Sequence, residues 1–161
     1  MAPAAAYILA VDDEPSICEF LSRLLGDAGY RVKTSTHPVE ALRVAEADGR
    51  PDLLLTDLKM PMMDGDALAA RVREIHPDIP VLFLTGFSEQ LFRDKGVLRD
   101  REAFLDKPAS PMAVLEAVEM LLKPPAPPTP PPASEPNKPG IMWFSSLKQG
   151  LLALNVSGRH R

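Results

Sequence analysis

Asp52-Leu53-Leu54-Leu55-Thr56-Asp57-Leu58-Lys59-Met60-Pro61-Met62-Met63-Asp64-Gly65 is the stretch that decides the fold. Its leucine run lacks the polar–apolar alternation of a half-exposed strand, so it suits a strand buried on both faces. The run delivers an aspartate, Asp57, at its end. A turn-rich segment follows, punctuated by Pro61 and Asp64-Gly65. The same grammar recurs on either side. Tyr7-Ile8-Leu9-Ala10-Val11 is cut off by Asp12-Asp13-Glu14, Val81-Leu82-Phe83-Leu84 ends at Thr85-Gly86, and Ala103-Phe104-Leu105-Asp106 ends at Lys107-Pro108.

Helical spacing fills the intervals. Pro15 suits a first helical turn, and Ile17, Phe20, Leu21, Leu24 and Leu25 form an apolar face that Gly29 terminates. Arg31 to Ser35 reads as an outer strand. Pro38 opens a second helix through Ala41, Leu42 and Ala45, broken at Gly49-Arg50-Pro51. Ala67 to Ile75 is a third helix, and residues 88–100 give the weakest helical signal, around Leu91 and Phe92. Ser110-Pro111 caps a last helix striped by Val114, Leu115, Val118, Leu121 and Leu122. Five strands alternating with five helices predict an α/β domain whose doubly wound parallel sheet is covered on both sides. Ligands of such sheets bind beyond the carboxyl ends of the strands.

The bulk properties agree with one core-bearing domain. The chain has 161 residues, 45% hydrophobic and 25% charged, with a formal charge of -4. Residues 1–123 carry 14 Lys/Arg against 21 Asp/Glu, and residues 124–161 carry 4 against 1. An acidic body argues against a nucleic-acid surface. The single Cys18 excludes an internal disulfide and, set in an apolar helix, predicts a buried thiol in a reducing compartment. The start lacks a basic region ahead of its apolar residues, and no apolar run reaches the ~18 residues of a spanning helix, so a cytoplasmic protein is expected. Composition divides the chain into a domain over 1–123, a linker over 124–139 with nine prolines, and a short basic segment over 140–161. The linker is expected to be an extended spacer, and the last segment an amphipathic helix or a disordered tail.

The chemistry lies in what ends the strands. Asp12 and Asp13 follow the first, Asp57 the third, Thr85 the fourth and Lys107 the fifth. If the first and third strands are neighbours, these side chains meet at one edge. Carboxylates that close repel one another, and a hard divalent cation with oxygen ligands, such as Mg2+, resolves the repulsion. A carboxylate nucleophile, a magnesium site, a lysine and a hydroxyl are what aspartyl phosphorylation requires.

Asp12-Asp13, Asp57-Leu58-Lys59-Met60-Pro61-Met62-Met63-Asp64-Gly65, Thr85-Gly86 and Lys107-Pro108 together resemble the signature of bacterial receiver domains, over about 70% of the chain. The resemblance implies a flavodoxin-like sheet of order 2-1-3-4-5. It implies Asp57 as phosphoacceptor, Asp13 as a direct magnesium ligand, Asp12 as one acting largely through water, and the backbone carbonyl of Lys59 as a further ligand. Lys107, before a cis proline, would hold the phosphoryl group. Thr85 would swing toward it, with Phe104 following as an aromatic switch. Lys59 and Phe87 would tune phosphoryl lifetime, while Gly86 keeps the approach to Asp57 open. The partners implied are a histidine kinase or phosphotransfer protein and a downstream protein reading the face of the helix within 88–100, the last strand and the last helix. A phosphorylation-linked homodimer is a further option. The stretch Leu84 to Glu89 resembles those of hybrid kinases and single-domain adaptors, and 38 residues after Lys123 leave no room for a DNA-binding domain, so a stand-alone receiver without enzymatic turnover of an external substrate is expected.

Plainer readings exist for single residues. Asp13 alone is an ordinary helix cap, Lys107-Pro108 alone is loop chemistry, Met60, Met62 and Met63 suit turn packing, and His37, His76 and His160 suit solvated surface. The conjunction at strand ends outweighs them. A magnesium-dependent phosphohydrolase of the haloacid-dehalogenase type would place an aspartate two residues after the nucleophile, where this chain has Lys59. A tethering module acting through residues 140–161, with Trp143 at its centre, is the other alternative.

Overall fold

The computed structural model describes residues 4–86 and 99–123, with the backbone of two further strands beyond Pro139. The elements are β1 (Tyr7–Val11), α1 (Pro15–Asp27), β2 (Arg31–Ser35), α2 (Pro38–Ala47), β3 (Leu53–Thr56), α3 (Gly65–Ile75), β4 (Val81–Thr85), β5 (Glu102–Asp106), α4 (Pro111–Leu122), β6 (Met142–Ser145) and β7 (Leu152–Ala153). The first five strands lie parallel in the order β2-β1-β3-β4-β5, as expected. Of the five predicted helices, four fall among the described residues; the one expected within 88–100 lies almost wholly outside them.

The central strands are buried along their whole length because both faces carry helices. Alternate residues divide between two cores. Leu9, Val11, Leu54, Val81, Phe83 and Phe104 point to one side, where Ala41 and Ala45 of α2 and Leu68, Ala69 and Val72 of α3 cover them. Ile8, Ala10, Leu53, Leu55, Leu82 and Ala103 point to the other, under Leu21 and Leu25 of α1 and Val114, Val118 and Leu121 of α4. Helix boundaries follow local chemistry. Ser110 caps α4, its Oγ accepting the Ala113 N–H at 3.1 Å, with Pro111 in the first turn. α3 starts two residues before the predicted Ala67, since Asp64 already takes the extended conformation of an N-cap.

Beyond Pro139 the described residues form two short strands, and Leu147, Leu151 and Leu154, whose spacing allowed a helix, lie outside them. Met142–Ser145 is a strand, antiparallel to β5, with Ala103 opposite Trp143 and Phe104 opposite Met142. Leu152–Ala153 pairs with β6 in turn. Aromatic residues favour a pleated edge over an isolated helix interrupted by Gly150. Cys18 is buried as expected, its thiol donating to the carbonyls of Asp12 at 3.3 Å and Ser35 at 3.5 Å. No helix among the described residues is long and apolar enough to cross a membrane.

Candidate functional site

The polar residues that end β1, β3, β4 and β5 meet at the carboxyl edge of the sheet because those strands are parallel neighbours. Register brings them level. The Asp57 N–H donates to the Val11 carbonyl at 2.9 Å, extending the β1–β3 ladder by one step, and the Lys107 N–H donates to the Thr85 carbonyl at 2.9 Å. Carboxylate oxygens of Asp12, Asp13 and Asp57 lie within 4.8 Å of one another, the arrangement of a cation site among the described residues. All the donors are hard oxygens, which fits a magnesium or calcium ion and not a thiolate-seeking metal.

The three carboxylates are held differently. Asp12 is buried, its Oδ1 accepting the Glu14 N–H at 2.9 Å and its Oδ2 accepting Lys107 Nζ at 2.7 Å. Its backbone N–H donates to Ser35, and Cys18 donates to its carbonyl, so the β1–α1 turn is fixed from two sides. Asp13 is exposed and can turn its carboxylate toward an incoming cation. Asp57 is only 7% exposed; its Oδ1 accepts the Leu58 N–H at 2.8 Å and stands 3.6 Å from Lys107 Nζ. Lys107 therefore bridges Asp12 and Asp57, nearer the former.

Electrostatics record the crowding. Burial, reinforced by the charges of Asp12 and Asp13, pushes the Asp57 carboxyl up to about 6 against the opposing pull of Lys107 and the Leu58 N–H. Burial works against the Lys107 ammonium, yet its hydrogen bond and charge interactions with Asp12 and Asp57 win, and its pKa is raised. The cluster thus carries unrelieved negative charge, which a bound cation would remove. Burial also raises the Cys18 thiol, in keeping with a packing role.

Other expected residues fall as follows. Thr85 is fully buried at the end of β4. Lys59 lies in the turn after β3, its side chain 3.2 Å from Asp64. Phe104 is 2% exposed, opposite Phe83 across the β4–β5 register, so the aromatic expected as a switch sits inward. The Lys107–Pro108 peptide is cis. Phe87 and His160 lie outside the described residues. His37 is exposed, but His76 is not simply solvated: it is partly buried with Nε2 3.0 Å from the Ala45 carbonyl, joining α3 to α2. The proximity of Gly65 to Asp57 is the site feature that spacing did not reveal. A Cβ on it would lie 1.9 Å from the Asp57 carbonyl oxygen, so only glycine lets α3 start against the Asp57 backbone. The Asp64-Gly65 pair signalled a turn without revealing that contact. A Cβ on Gly86 would meet none of the described residues within 4 Å.

Comparison with known proteins agrees with this geometry. The Response regulator receiver domain family matches residues 8–119. The transcriptional regulatory protein GlrR of Escherichia coli is 33% identical over 129 residues, 80% of this chain but 29% of GlrR, so the chain spans less than a third of that relative. The chemotaxis protein CheY4 of Vibrio cholerae superposes with a TM-score of 0.64 at 33% identity, over 73% of this chain and 99% of CheY4. The receiver domain of the hybrid histidine kinase CckA gives 0.63 at 32% identity, over 73% of this chain and 100% of that domain. The chain belongs to the response regulator receiver domain family, the phosphorylation-dependent switches of two-component signalling.

Proposed function

We propose that Asp57 is the phosphoacceptor of this receiver, charged by a histidine kinase or histidine phosphotransfer protein, and that the phosphorylated state signals by protein contact. The single observation that carries the reading is Lys107 bridging Asp12 and Asp57 beside Asp13, at the end of the sheet. With Oδ1 held by Leu58 and Lys107, the other oxygen of Asp57 attacks phosphorus. The new P–O bond forms as the donor's P–N bond breaks, and the electron pair returns to the imidazole nitrogen. Asp13 directly, Asp12 largely through water, Asp57 and the Lys59 carbonyl would hold Mg2+. The bound ion supplies charge neutralisation for the phosphoryl oxygens. Lys107 leaves Asp12 to pair with the phosphoryl group, and the Thr85 hydroxyl turns toward it, with Phe104 following. A phosphorelay of this kind places the protein in the cytoplasm, which the buried, unpaired Cys18 thiol suits.

The test compares the native chain with Asp57→Asn after exposure to acetyl phosphate, or to beryllofluoride with Mg2+. A phosphorylated mass and a conformational response confined to the native chain are expected. An equal response in the Asp57→Asn chain sinks the assignment.

A further inference from the structure

The two sides of the five-stranded parallel sheet are not alike. β2 ends it on one side with Arg31, Lys33 and Thr34 exposed, the charged dressing that keeps an edge strand from pairing with another chain. β5, on the other side, is exposed and charged only at its last residue, Asp106. Ala103, Phe104 and Leu105 are buried, and Glu102 is turned inward to Arg73 at 2.5 Å. A short apolar strand of that kind is a template for one more strand. The chain supplies that strand itself: Met142–Ser145 runs antiparallel along β5.

We propose that the free edge of β5 is a strand-docking surface whose resident occupant is Met142–Ser145 of the same chain, and that its occupancy is coupled to the Asp57 site through β5. The coupling rests on the phosphoacceptor reading; the docking does not. The intervening sequence suits a tether. Residues 124–141 number eighteen, and at ~3.1 Å per residue of extended polyproline chain they reach up to about 56 Å, well beyond the length of β5. The nine prolines of 124–139 lack N–H donors, so the spacer is a poor competitor for the edge it serves. Met142-Trp143-Phe144 follows with the residue types that favour a strand.

The coupling follows from what else β5 carries. Phe104, opposite Met142, precedes the site lysine by three residues, and the Lys107 N–H is tied to Thr85 at 2.9 Å. Lys107 Nζ now stands 2.7 Å from Asp12 and 3.6 Å from Asp57. Drawing it onto a phosphoryl group at Asp57 pulls the end of β5 inward, away from β6. An effect of the site on the docked strand is matched by an equal effect of the strand on the site's affinity. The docked segment is then a cover that phosphorylation loosens, exposing the β5 edge to a partner strand.

Peptide-resolved hydrogen exchange on the full chain tests this, with β1 and β3 as internal references. The Met142→Pro/Trp143→Pro chain is expected to exchange at least tenfold faster over residues 101–107, with the references unchanged; Trp143→Val, which keeps a strand former, is expected to match the native chain. Equal exchange over 101–107 in the native and double-proline chains overturns the docking. Protection in the native chain that grows with protein concentration overturns it too, by assigning the edge to a second copy. Beryllofluoride with Mg2+ is expected to speed exchange over both 101–107 and 142–145 at least threefold in the native chain and not in Asp57→Asn. Binding without that acceleration overturns the coupling. A native chain that binds no beryllofluoride defeats the phosphoacceptor reading instead, and the ligand-free comparison still decides the docking.

Discussion

At the scale of the residue, Asp57 works under a penalty. Its carboxyl titrates near 6 in the folded chain against 3.8 for an ordinary aspartate. Between those values the folded chain holds a proton that the unfolded chain has lost, so stability is greatest below pH 4 as far as this group is concerned. It falls as pH rises through the window and is lower by about 3 kcal/mol at neutral pH. Denaturant titrations of metal-free protein from pH 4 to 7 are expected to show that decline, and Asp57→Asn to flatten it while raising stability at pH 7. A native chain with no fall across this window contradicts the expectation. Gly65 bears a different constraint. Alanine there puts a methyl group 1.9 Å from the Asp57 backbone carbonyl oxygen. A loss of several kcal/mol in urea denaturation is expected, because neither partner is a side chain that can rotate away.

At the scale of the element, local chemistry wrote most boundaries. Pro15, Pro38 and Pro111 each open a helix where their missing N–H costs nothing, and the apolar stripes that follow face the sheet. The Ser110 cap holds the start of α4 near the Lys107–Pro108 turn, so it stabilises the element that flanks the site lysine. Ser110→Ala is expected to cost about 1 kcal/mol in thermal or urea unfolding, with phosphorylation of Asp57 retained. The start of α3 was less legible, because Gly65 reads as a turn until the Asp57 backbone is placed beside it. The segment beyond Pro139, expected as an amphipathic helix or a disordered tail, was less legible for a related reason. Leu147, Leu151 and Leu154 have helical spacing, but a strand edge elsewhere in the chain offers Met142–Ser145 hydrogen bonds that periodicity cannot register.

At the scale of the whole molecule, the fold gathers charge that no single element would tolerate. The two cores on either side of the sheet make β1, β3, β4 and β5 rigid enough to keep Asp12, Asp57, Thr85 and Lys107 at one edge against the repulsion of the carboxylates. A cation that binds only the folded chain should then stabilise it by mass action, by about 2.7 kcal/mol at a hundredfold excess over its dissociation constant. Mg2+ is expected to raise the midpoint of thermal unfolding, a chelator to reverse the rise, and Asp13→Asn to reduce it. A midpoint insensitive to Mg2+ contradicts the cation site.

The sequence by itself determined the alternation of strands and helices, the acids and lysine that terminate the strands, and through them the family. Those are local patterns, written within a few residues and legible without knowing what lies opposite. Only the tertiary structure decided that Lys107 grips Asp12, 95 residues away. It alone showed that Gly65 must be glycine against the Asp57 carbonyl, that His76 braces α2, and that Met142–Ser145 lies along β5. Each of these is a contact between distant parts of the chain, set by how the sheet and helices pack and not by any period in the sequence.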